Sequence, residues 1–242
     1  MDIKRCARCR LAAYCGAACQ KAAWKAGHKS SCVFLSPDQL TTKLEEAAER
    51  SDWHGVLSYE TRIEDVLPSD DDELCENLLS LFGFAHGMMM TERSTLGQRK
   101  ESMAHAARSA VHEERRIEIL GRMQRFRDQG EAMDILGSTL FTVGKEADAE
   151  RWMLRARQVG ADHGFFTVEC RACAALGNLY MQDGREAEGL DLLRNAVAAA
   201  TLDDTPDRML ETTSLQSLAD ALLRSMPSSL LLSSLELSDT NV

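Results

Sequence analysis

No apolar run in this sequence approaches the roughly 18 residues that a membrane-spanning helix needs, so no transmembrane segment is expected. The opening Met-Asp-Ile-Lys-Arg-Cys lacks the apolar core of a secretory leader. That predicts a protein of the cytoplasm or nucleus, where cysteines more often bind metal than form disulfides. Only four prolines are present, and long β-branched runs are missing, so little interrupts a helix. There is no glycine-rich phosphate loop, no nucleophile elbow and no pair of metalloprotease histidines. Asp70-Asp71-Asp72 lacks calcium-loop spacing and reads as a solvated turn. These absences remove the usual signatures of nucleotide, acyl-transfer and protease chemistry.

What is present is divided unevenly along 242 residues, a length that allows one large core or two smaller ones. Five of the eight cysteines lie before position 33: Cys6, Cys9, Cys15, Cys19 and Cys32. Residues 1–32 hold seven of the 28 basic residues and one of the 38 acidic ones, a formal +6; the remainder, with 21 against 37, is a formal −16. A basic head on an acidic body predicts two units with different tasks. The head's lysines and arginines are dispersed and too few to track phosphates, so they are read as offsetting metal-bound thiolates. No nucleic-acid partner is expected.

The head carries the string Cys6-x2-Cys9-x5-Cys15-x3-Cys19-x8-His28-x3-Cys32. Structural zinc takes four Cys or His ligands in a closed tetrahedron. A Cys-x2-Cys turn aims two sulfurs at one point, and the i, i+4 pairs Cys15/Cys19 and His28/Cys32 share a face of a short helix. Six candidates suffice for one complete site and half of another. So small a segment has little to bury, and metal must supply much of its folding free energy, on the order of 10 kcal/mol.

The run Tyr14-Cys15, Cys19-Gln20, Trp24, His28-Lys29, Cys32 resembles the second half of a MYND finger, over about 27 residues. In that family two zincs are bound in an interleaved manner. The resemblance implies that Cys6, Cys9, His28 and Cys32 form one complete Cys3His site, with Cys15 and Cys19 as half of the other. An alternative uses Cys6, Cys9, Cys15 and Cys19 consecutively and strands His28 and Cys32. The family's first Cys-x2-Cys is absent, and a late start, a one-zinc variant and borrowed ligands all account for that; a truncated finger is the reading adopted. The resemblance further implies binding of proline-containing peptides at Gln20 and Trp24, an indole platform beside an orienting amide. Trp24 also suits packing against the zinc knuckles, and Tyr14 is read as structural.

Beyond the head the sequence reads as helix. Ser36-Pro37-Asp38-Gln39 has the makings of a capping box. Leu136-Gly137 recurs forty positions later as Leu176-Gly177, and Gly144-Lys145-Glu146-Ala147 as Gly184-Arg185-Glu186-Ala187. Ala132 falls on Ala172, and Ala156 on Ala196, with Leu140, Trp152, Tyr180, Leu192 and Leu193 filling the faces between. This resembles a tetratricopeptide (TPR)-type array of helical hairpins; an ordinary bundle is the plainer reading. Leu96-Gly97 falls on the same register and suggests a third copy. Thr205-Pro206-Asp207 should cap a last helix with Met209, Leu210, Leu215, Leu218, Leu222 and Leu223. Cys170 and Cys173 read as small core residues, His105, His112 and His163 as surface or packing residues, and Met88-Met89-Met90 as a helix end facing the core.

The fold expected is thus a small zinc-stabilised finger over 1–35, an all-α, TPR-like helical-hairpin array over 36–225, and a disordered tail over 226–242. The function expected is a zinc-binding adaptor with no catalytic step, its finger gripping a peptide and its array a second protein on an acidic concave face. The rivals are a fragment of a SET-class protein lysine methyltransferase with a MYND finger, and a nucleic-acid-associated regulator. The first lacks its strand-rich domain and cofactor motif here, and the second predicts steep salt dependence.

Overall fold

The computed structural model describes residues 4–6, 12–32, 35–62, 71–202 and 208–225; the expected tail and the Thr205–Asp207 cap lie outside them. Two-residue strands β1 (Lys4–Arg5) and β2 (Ala13–Tyr14) pair antiparallel, Lys4 opposite Tyr14. Then come α1 (Ala17–Ala23), a π-type turn (Trp24–His28) and α2 (Lys29–Ser31). Among the described residues all later elements are helical: α3 (Pro37–Glu49), α4 (Trp53–Ser58), a 3-10 turn (Glu60–Arg62), α5 (Asp72–Thr95) and α6 (Arg99–Arg122). The remaining helices are α7 (Phe126–Thr142), α8 (Glu146–His163), α9 (Phe166–Gln182), α10 (Glu186–Leu202) and α11 (Arg208–Ser225). Contacts divide the chain into two compact units, 1–119 and 120–242.

In the first unit the expected capping box starts α3. Gln39 N–H donates to Ser36 Oγ, and Ser36 N–H donates to Gln39 Oε1 at 3.0 Å, satisfying two helix-end donors. The acidic run caps α5: Asp71 accepts from Leu74 N–H, and Asp72 and Glu73 occupy its first turn. Helices α5 and α6 lie against each other, Ser109 Oγ donating to Gly83 O at 3.1 Å and Ser102 Oγ to Met90 O at 2.9 Å. Within that seam Arg116 joins two buried carboxylates, Glu76 at 2.7 Å and Glu113 at 3.3 Å.

The second unit is the repeat. Each helix packs on its neighbours in sequence, and α9 also packs on both α7 and α11, so α7, α9 and α11 form one layer and α8 and α10 the other. The forty-residue equivalence extends to single atoms. A β-carbon on Gly137 would lie 2.7 Å from Met153 Cγ and 3.2 Å from Ala149 O; on Gly177 it would lie 2.7 Å from Leu193 Cγ and 3.0 Å from Gly189 O. Ala132, Ala172, Ala156 and Ala196 are all fully buried, as are Leu136, Leu176 and Leu193. Each such leucine stabilises the array by about 1.5–3 kcal/mol.

Three expectations need correction or refinement. Leu96-Gly97 is a turn, with Gly97 at φ +71°, whereas Gly137 and Gly177 lie mid-helix where two backbones meet. That register is coincidence, because the same glycine serves opposite purposes. The last helix buries Ser214 and Ala221 rather than its large residues: Met209, Leu215, Leu222 and Leu223 are exposed. Of the three methionines only Met89 is buried, since consecutive helical positions face different directions. Cys170 and Cys173 are fully buried as expected, and burial pushes the Cys173 thiol up to about 11.

Candidate metal centre

The strand pair delivers the first ligand. Beyond Arg5 the pairing continues, Cys6 N–H donating to Ala12 O at 2.8 Å. Cys9, the other half of the Cys-x2-Cys pair, lies outside the described residues. Downstream, the π-type turn bends at Gly27, which takes φ +126°, a region that L side chains avoid. Ser30 Oγ closes the bend by donating to Gly27 O at 2.7 Å. The swing brings His28 and, just past α2, Cys32 back to Cys6.

These three form a metal-binding group: their donor atoms all lie within 4.8 Å of one another. Cys6 Sγ is 3.6 Å from Cys32 Sγ. A disulfide would put the sulfurs about 2.05 Å apart. Two sulfurs on one tetrahedral zinc, each bonded at about 2.3 Å, are separated by about 3.8 Å. The observed spacing fits the metal. Cys6, Tyr14 and Cys32 are buried, with Ala12, Ala23 and Trp24 partly buried around them. The imidazole of His28 is held edge-on by Tyr14, centroids 6.0 Å apart at 72°, and by Trp24, 5.7 Å apart at 67°. So small an apolar cluster cannot fold 30 residues alone; a bound zinc supplies the cross-link.

The other expected positions fall differently. Cys15 and Cys19 are exposed, and among the described residues no third donor joins them. Cys15 precedes α1 rather than sharing its face, because Gly16, the N-cap, is still fully extended. Trp24 lines an open groove of about 540 Å³ with Lys25, Gly27, Lys29 and Ser30. Gln20, half-buried on α1, is not among that lining. The two lysines make the groove cationic, a feature the sequence reading passed over.

It also passed over a second group. Glu60, His86 and His112 bring three donor atoms within 4.8 Å, with both rings buried. Burial alone would raise the Glu60 pKa, but hydrogen bonds from His112 and His86 outweigh it and hold the carboxyl far below the usual range. His112 and His105 are seven positions apart on one helix, which puts them on one face; nothing local points to Glu60 or His86.

A zinc-held finger followed by helical hairpins defines the class of protein. More particularly, residues 2–32 match the family model of the MYND finger. A 44-residue segment is 55% identical to part of ubiquitin carboxyl-terminal hydrolase 19 of Arabidopsis thaliana, covering 18% of this chain and 6% of that protein. The chain therefore carries a MYND zinc finger and, among the described residues outside it, helices. Among the described residues no helix is long and apolar enough to cross a membrane.

Proposed function

We propose that this chain is an adaptor without catalytic activity, whose finger binds proline-containing peptide segments and whose helical array holds a second protein. The observation that carries this is the double position of Trp24, packed on the metal-binding His28 and open to a groove. An exposed indole edge gives an extended proline segment a flat apolar surface. Lys25 and Lys29 on the same groove favour acidic residues beside the proline. Gln20, on the preceding helix, is assigned the orienting hydrogen bond.

In this reading Cys6, Cys9, His28 and Cys32 share one zinc, and Cys15 and Cys19 contribute to another. The finger occupies 1–35 and the array 36–225, with 226–242 as the tail. The array's surface is the face of α7, α9 and α11, where a cleft of about 250 Å³ is lined by Asp134, Arg171, Asn178, Leu210, Thr213 and Ser217. Its mixture of one carboxylate, one guanidinium and neutral polar groups suits a polar peptide better than a strongly basic one. Residence in the cytoplasm or nucleus accords with metal-binding thiols, and imaging of the tagged chain checks it.

The test is calorimetric titration of the full chain with proline-containing peptides flanked by acidic or by neutral residues. Trp24→Ala should weaken binding at least about tenfold, and Lys25→Ala with Lys29→Ala should erase the preference for acidic flanks. Full affinity in Trp24→Ala would refute the peptide site. Steeply salt-dependent binding of duplex DNA would favour the nucleic-acid reading instead.

A further inference from the structure

We propose that Glu60, His86 and His112 form a second metal site, separate from the finger, for a zinc-class divalent ion. His86 Nε2 and His112 Nε2 each lie 3.0 Å from the same atom, Glu60 Oε1, so three donors from three elements converge on one point. The two rings are nearly parallel, 14° apart with centroids at 5.7 Å, and their side chains are only 2% and 7% exposed. A buried pair of imidazoles aimed at one carboxylate oxygen is a donor set for a borderline ion such as zinc, cobalt or nickel. Calcium and magnesium, which demand six or more oxygens or several waters, are poorly served by it.

The surroundings hold the donors in place as a ligand shell requires. His86 Nδ1 lies 2.9 Å from His105 Nδ1. With the ion bound, His86 coordinates through Nε2 as the Nδ1–H tautomer and donates to His105. The other oxygen of Glu60 accepts from Arg108 at 3.1 Å, which leaves Oε1 turned toward the histidines. The backbone is equally fixed. Ser109 and Ser102 bond α6 to α5 on either side of His86, and Arg62, two residues after Glu60, donates to Leu35 O at 2.8 Å. Three protein ligands leave one tetrahedral position for water or for a side chain of a partner. The ion would clamp the Glu60–Arg62 turn onto the α5–α6 pair.

The finger also binds zinc, so the experiment must count ions by site. Zinc is measured by equilibrium dialysis and elemental analysis on the full chain, on a cysteine variant in which Cys6, Cys9, Cys15, Cys19 and Cys32 are all changed to serine, and on its His86→Gln/His112→Gln variant. The cysteine variant should retain one equivalent, and the histidine variant should lose one relative to the parent. An unchanged zinc content in a folded histidine variant would overturn the site. Should that variant not fold, the cysteine variant decides. On addition of zinc its His86 and His112 side-chain nitrogen resonances should shift while those of His163 stay still. Cobalt should give it a visible spectrum without thiolate charge-transfer bands. Unmoved resonances for His86 and His112 would overturn the proposal equally.

Discussion

At the scale of single residues, the finger turns on Gly27. No atom lies within 4 Å of where its β-carbon would be, so the obstacle to a side chain is backbone conformation alone. Gly27→Ala should therefore cost about 1–3 kcal/mol, felt as weaker zinc retention in competition with a chelator. Unaltered retention would show that the bend does not position His28. Asp134 makes a contrasting case. Burial raises its pKa, and Arg171 at 3.1 Å lowers it less than burial raises it. A carboxyl whose folded pKa lies above its unfolded value of 3.8 binds its proton more tightly when folded, so it loses stability as pH rises from about 4 through the raised folded value. Against Asp134→Asn, the parent should compare best near pH 4 and progressively worse toward neutrality. Melting curves across that range read the trend, and a constant difference would contradict it. Cys6, His28 and Cys32 were legible in the sequence because metal ligands crowd within one short segment. Glu60, His86 and His112 were not, because separate elements supply them and only tertiary packing unites them.

Among the elements, one turn recurs. Arg125, Lys145, Phe165 and Arg185 each donate backbone N–H to the carbonyl five residues earlier, at 2.8–3.0 Å. The residue before each has positive φ: Gln124 at 57°, Gly144 at 76°, Gly164 at 69° and Gly184 at 76°. This is the Schellman ending, for which glycine is the unstrained choice. Gln124→Gly should thus stabilise the array by up to about 1 kcal/mol, seen as a higher unfolding midpoint; a lower one would mean that the glutamine side chain contributes more than its strain. Where helices touch, the reverse holds. A β-carbon on Gly160 would sit 2.7 Å from the backbone nitrogen of Glu169, which cannot rotate away. Gly160→Ala should cost about 1–3 kcal/mol by overpacking. The hairpins were readable where glycine marks a turn or a crossing. The exposed leucines of α11 misled, because an apolar residue names a preference for burial without saying what will cover it.

For the molecule as a whole, stability has two sources. Residues 120–225 are held by buried leucines and alanines, and the head by metal and little else. Stripping zinc with a strong chelator should abolish protection of residues 12–32 in hydrogen exchange and leave the amides of α7–α10 as protected as before. Loss of protection in α9 would show that the array also depends on metal. Thiol chemistry should divide likewise. Cys15 and Cys19 are exposed and should be alkylated in the folded protein once zinc is removed, whereas Cys75, Cys170 and Cys173, all buried, should react only after unfolding.

A turn every twenty residues, with the same face restored every forty, makes length a nearly free parameter of the array. Excising residues 145–184 would join Gly144 to Arg185 and meet an identical junction, giving a shorter protein with its inside and outside preserved. Removing twenty residues instead would assign the next helix to the wrong layer. Duplication or loss in whole hairpins is therefore the route by which such a chain can change its reach while keeping its finger.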